Sequence, residues 1–210
     1  MRRLFAVALF CVSAVVLGGA GVVPAQFDAS QKAMLDKVST ALNTVHSMQG
    51  SFVQIDPNGG IEQGKFYIQK PGRMRFEYNP PTPTLIVSDG TTIAVKNTKL
   101  NTVDRYPLVS TPLDLVLSDK LDLKANRGVY GVQRDGDSVI VKARSTDSRA
   151  PGSITIVFSD PGFELRQWTV VDPQGMATTV ALRDVEKDVS LSPSLFVLQE
   201  RNPFTRDNGN

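Results

Sequence analysis

The chain has 210 residues, 41% of them hydrophobic and 21% charged, enough for one domain with a real core and unlike a disordered or collagen-like polymer. Its 23 Lys and Arg nearly balance 21 Asp and Glu, too even a mixture to hold nucleic acid or another polyanion. The single cysteine, Cys11, excludes a disulfide framework.

Arg2 and Arg3 precede an apolar run from Leu4 to Leu17, and small residues lead to Val23-Pro24-Ala25. That order predicts a cleavable export signal over residues 1–25, cut before Gln26, and a periplasmic address. The run is short for a membrane span, and Phe10 is too bulky to precede a lipid-attachment cysteine. Cleavage removes Arg2, Arg3 and Cys11, which leaves residues 26–210 neutral and without thiol nucleophiles or Cys-based zinc sites.

Residues 29–48 read as an amphipathic helix. Leu35, Val38, Leu42 and Val45 share one stripe, while Lys32, Asp36, Lys37 and Asn43 fall elsewhere. Asp28 or Ser30 caps its start, and Gly50 closes it. From Ser51 the period changes to two. Residues 64–70 and 73–78 alternate, Phe66 and Ile68 opposing Lys65, Tyr67 and Gln69, and Met74, Phe76 and Tyr78 opposing Arg73, Arg75 and Glu77. Further strands are predicted at 85–88, 92–96, 128–134, 139–144, 153–159, 165–172 and 178–185. Asn58-Gly59-Gly60, Asp89-Gly90, Asp135-Gly136, Asp160-Pro161-Gly162 and Asp172-Pro173-Gln174-Gly175 supply the turns between them. Strands and tight turns at this spacing make an antiparallel meander that must curl or close.

The stretch between Lys96 and Gly128 interrupts the meander. Thr111 as N-cap and Pro112 at the first helical position predict one or two short helices packed over the sheet, carrying Leu113, Leu115, Val116 and Leu117.

The inward pleat gathers Phe66, Ile68, Met74, Phe76, Leu85, Val87, Ile93, Val95, Trp168, Val170, Val180 and Leu182, with Phe52 and Tyr78 on flanking positions. Any curled sheet under a helix needs such a face as core, and periodicity does not separate core from hollow. Met34 and Met74 suit contacts that change, because thioethers repack easily. His46 has no marked partner for base or metal chemistry and reads as a surface or capping residue, and Trp168 reads as packing. No phosphate loop, nucleophile elbow, zinc motif or calcium loop occurs, so no enzyme, metal or cofactor is expected.

Four motifs stand in a telling order: Gly50-Ser51-Phe52-Val53-Gln54, Gly64-Lys65-Phe66-Tyr67-Ile68-Gln69-Lys70-Pro71-Gly72, Leu85-Ile86-Val87-Ser88-Asp89-Gly90-Thr91-Thr92, and Thr111-Pro112-Leu113. Ser194-Leu195-Phe196 stands where a closing strand would begin. The chain resembles the LolA family of outer-membrane lipoprotein carriers over about residues 30–196. The resemblance implies a mainly β fold: an unclosed antiparallel β-barrel, or strongly curved sheet, with an N-terminal helix and a short helical lid on its apolar concave face. It also implies a monomeric carrier that takes acylated lipoproteins from an inner-membrane ABC transporter, shields their acyl chains and passes them to an outer-membrane acceptor. On that reading the inward pleat, Phe52 and Tyr78 included, is a lipid-binding wall, and Leu113, Val116 and Leu117 are lid residues. Lys70 stands where well-known members carry an arginine proposed to hydrogen-bond the lid shut. Two readings stay beside it: a carrier of other envelope lipids, and a lipid-sensing regulatory module of the same fold.

Overall fold

The computed structural model describes residues 27–146 and 151–199. The expected export signal lies outside them.

The first helix, α1, spans Ala29–Thr44. Asp28 accepts a hydrogen bond from the Gln31 N–H, and the Gln31 side chain accepts one from the Asp28 N–H, a reciprocal capping box. The helix ends before the Met48 that periodicity predicts. Thr44 and Val45 are β-branched and poor helix formers, Val45 is already extended, and Met48 pairs with Ile68 across a strand ladder.

Eleven strands follow: β1 Ser47–Ile55, β2 Ile61–Gln69, β3 Arg73–Tyr78, β4 Thr84–Asp89, β5 Thr92–Asn97, β6 Thr102–Pro107, β7 Val129–Asp135, β8 Ser138–Arg144, β9 Ser153–Ser159, β10 Leu165–Val171 and β11 Ala177–Lys187. They form one antiparallel sheet in the order β6-β5-β4-β3-β2-β1-β11-β10-β9-β8-β7. Neither β6 nor β7 pairs with another strand on its outer side among the described residues, so the sheet curls without closing. The predicted turns form, with Gly59, Gly90, Gly136, Gly162 and Gly175 all at positive φ.

Three local expectations are corrected. Residues 102–107, expected within a helical insert, form β6. The hairpin leading into it has no glycine or proline: the Asn97 side chain accepts from the N–H groups of Lys99 and Leu100, and Asn101 takes φ 55°. Thr111 does not cap a helix. Its hydroxyl donates to the Leu108 carbonyl and ends a 3₁₀ turn at Leu108–Ser110, while the second helix, α2, is only Asp114–Leu117 and lacks a side-chain cap. Residues 194–196 belong to a 3₁₀ turn, Pro193–Phe196, because Pro193 pre-sets a helical φ and cannot donate to a ladder.

Candidate functional site: a covered apolar concave face

Directly paired residues in an antiparallel ladder share a face, so the register sorts the wall. Gly64 faces Phe52 and Tyr78, Phe66 faces Phe76, Ile68 faces Met74, Phe52 faces Leu182, and Trp168 faces Val180. All point to the concave side with Ile93, Val95 and Val170. Most are sealed: Phe66 is 0% exposed, Phe52 1% and Phe76 5%, and Tyr78, Val95 and Val170 are half-buried.

Leu85 and Val87 do not belong there. Met74 pairs with Ser88 and Phe76 with Ile86, while Arg75 pairs with Val87 and Glu77 with Leu85. The pairing therefore turns Leu85 and Val87 to the convex face and puts Ile86 and Ser88 inside. The run Leu85-Ile86-Val87 is apolar throughout, so alternation gave no phase, and a one-residue slip exchanges the faces. Val87 is buried nonetheless because the 3₁₀ turn at Pro193–Phe196 lies over the outside of β3 and β4, with Arg75 Nη1 donating to the Leu195 carbonyl at 3.1 Å.

Six residues not expected there complete the wall. Ile154, Ile156 and Phe158 on β9 and Val139, Val141 and Ala143 on β8 are paired in register with Trp168 and Val170 and are at most 1% exposed. Their alternation was visible in Ser153–Ser159, but not that this strand joins the same hollow.

Two glycines let the wall curl. A Cβ on Gly64 would sit 2.0 Å from the Glu77 carbonyl oxygen and 2.7 Å from the Phe52 ring, and one on Gly50 would meet the Arg183 carbonyl at 2.6 Å. The curl brings distant strands together. Phe76 on β3 meets Trp168 on β10 edge-on at 6.1 Å, and Phe52 at 5.0 Å. In this state the hollow is filled by its own aromatic rings.

One end of the concave face is polar. The Tyr78 hydroxyl donates to Gln54 Oε1, Gln54 Nε2 donates to Glu62, and the Thr82 hydroxyl donates to Glu62. Burial, with the Glu62 charge nearby, pushes the Tyr78 phenol well up from its ordinary value.

The other end carries the cover. Helix α1 contributes Leu35, Val38 and Leu42, and the following segment contributes Leu108, Val116, Leu117, Leu121 and Leu123, all buried in one core with the wall; Leu113 is half-buried against it. Asp36, Ser39 and Asn43, three and four residues apart on α1, fasten that segment. Asn43 donates to the Leu121 carbonyl and accepts from its N–H, Ser39 Oγ accepts from the Leu123 N–H, and Asp36 pairs with Lys124 at 2.6 Å. In the sequence Asp36 and Asn43 simply fall off the apolar stripe, and nothing marks them or Ser39 as fasteners.

Lys70 is 9% exposed, and its ammonium donates to the Leu42 carbonyl in the last turn of α1 at 2.6 Å. Its partner is thus α1, not the helical insert. The neighbouring Gly72 N–H donates to the Leu117 carbonyl, so the β2–β3 turn touches both pieces of the cover. Burial holds the Lys70 ammonium down at about 8, with the Asp119 charge pulling the other way. His46 is exposed.

Residues 43–199 match the family described as outer membrane lipoprotein carrier protein LolA. The chain belongs to that family. The outer-membrane lipoprotein carrier protein of Chromohalobacter salexigens is 25% identical over 186 residues, covering 83% of this chain and 87% of that protein. The carrier protein of Coxiella burnetii is 32% identical over 113 residues, covering 50% of this chain and 51% of its own. A solved LolA superfamily protein from Nitrosomonas europaea is similar over 78% of this chain and 97% of its own, at TM-score 0.45 and 9% identity. No helix among the described residues is long and apolar enough to cross a membrane.

Proposed function

We propose that this LolA-family chain is a periplasmic carrier that shields the acyl chains of lipoproteins on their way from an inner-membrane transporter to an outer-membrane acceptor, without catalysis. Residues 1–25 would direct its export. The observation that carries the reading is a continuous apolar concave wall covered by short, locally fastened segments rather than by a second sheet.

Magnitudes support exchange between cover and cargo. Each buried acyl methylene is worth ~0.8 kcal/mol, so a chain of about a dozen gains roughly 10 kcal/mol. Uncovering Leu108, Val116 and Leu117 costs about 2 kcal/mol each. One acyl chain therefore outweighs the 108–117 flap, and the α1 unit yields only as further chains follow. Phe52, Phe66, Ile68, Met74, Phe76, Tyr78, Ile93, Val95, Trp168, Val170, Val180 and Leu182 are the wall we assign to cargo, and Leu113, Val116 and Leu117 the lid. Lys70 is assigned as a latch on α1.

The test is native mass spectrometry of protein taken from the periplasm, with titration of a diacylated lipopeptide followed by the emission of the single tryptophan, Trp168. Bound acylated lipoprotein and a saturable emission change as Phe76 leaves Trp168 are expected. A co-purified non-protein lipid would replace the cargo assignment, and an empty protein with unchanged emission would sink the carrier reading.

A further inference from the structure

At the foot of α1 a recess of about 190 Å³ opens between the helix's last turn and the lower ends of β10 and β11. Its floor is Leu42, Met48, Leu165 and Leu182, all members of the buried core. The recess thus reaches the lower edge of the concave wall with the cover in place. It lies at the opposite end from the Gln54–Tyr78–Glu62 polar network, where an alkyl chain would strand buried hydrogen-bonding groups.

Backbone irregularity is concentrated here. Two of the three register shifts in the sheet fall at this point: β10 carries an extra residue between Leu165 and Gln167, and β11 carries one opposite Gly50. Of four non-glycine residues at positive φ among the described residues, Phe163 (52°) and Asp184 (51°) line the recess. An aromatic residue in the left-handed region is uncommon, and such strain persists where the surroundings fix it, often at a ligand site. The Lys37 ammonium on α1 lies 5.9 Å from the centre of the Phe163 ring, so this lip is held against the helix.

The rim is charged. Lys187 Nζ donates to Glu164 Oε1 at 2.6 Å and Arg166 Nη2 to Glu164 Oε2 at 3.2 Å, which holds that carboxyl below its ordinary range. Arg183, by contrast, pairs with Ser51 and so stands on the convex side, opposite Leu182.

We infer that the recess between Leu42, Phe163, Leu165 and Leu182 is the site where the end of a single acyl chain first lodges before the cover moves. The inference rests on the carrier reading. The recess is small against the ~300–1,000 Å³ of sites that engulf a drug-sized ligand, so it takes a chain end and not the whole cargo.

The probe is 10-bromodecanoate, whose bromine quenches a tryptophan it reaches; Trp168 lies on the same face as Leu165, just past the bulge. Saturable quenching is expected, with at least tenfold weaker binding in Ala41→Phe, which fills the recess from α1. Unchanged affinity in a folded Ala41→Phe protein would overturn the site. As a check independent of folding, decanoate carrying a terminal diazirine should label the wild-type protein at Phe163, Leu165 or Leu182, and labelling confined elsewhere would also overturn it. Lipopeptide binding without decanoate labelling at the recess defeats this inference alone, whereas loss of both defeats the carrier reading with it.

Discussion

At the scale of single residues, Lys70 has the most to say. Its ordinary value is 10.5 and its folded value about 8, so below pH 8 the burial cost of its charge is fully present. Between pH 8 and 10.5 the unfolded chain holds the proton more firmly, so stability gains with rising pH. The melting temperature of the wild type should therefore climb relative to Lys70→Met across that window, as read by thermal melts at several pH values. A constant difference would show that the amine is not held charged against burial. Gly64 gives a second prediction: Gly64→Ala forces a Cβ onto the Glu77 carbonyl and the Phe52 ring, so denaturant melts should show a loss of about 1–3 kcal/mol. Neither feature was fully legible beforehand. Lys70 stood out from its motif, but its partner on α1 depends on a contact 28 positions away, and Leu85 against Ile86 could not be phased inside an unbroken apolar run.

At the scale of elements, the sequence marked α1, the glycine turns and most strands because each has a period or a punctuation residue. It missed β6, whose exposed Thr102–Pro107 stretch has no buried alternate face and whose hairpin uses Asn101 in place of glycine. It also missed the clasp between α1 and residues 121–124, since Ser39 and Asn43 look the same whether they bind water or a neighbouring backbone. The clasp has a measurable consequence. Asn43→Ala removes both bonds to Leu121, at a net cost of about 1–3 kcal/mol. Amide exchange at Leu121 and Leu123 should accelerate about tenfold or more while β1 and β2 keep their protection. Equal acceleration throughout would mean that the cover does not open separately from the sheet.

For the molecule as a whole, the contact of Phe76 with Trp168 across the hollow decides between two outcomes. Phe76→Glu places a carboxylate among Phe52, Phe66 and Trp168, where it has no partner and cannot stay ionised cheaply. The variant should lose the closed structure altogether, seen as a lost cooperative melt and exposed tryptophan emission. A folded Phe76→Glu protein would mean that the closed interior is looser than its packing implies. The milder Phe76→Leu keeps an apolar wall and should retain lipopeptide binding at lower stability.

The missing ladder between β6 and β7 gives the structure a freedom that a complete cylinder lacks. A cylinder has a fixed girth, set by its count of strands, and can widen only by tearing a row of backbone bonds. Here the circumference ends in two lips. Prising them apart breaks no strand ladder among the described residues, so the sheet can act as a spring clip of adjustable bore.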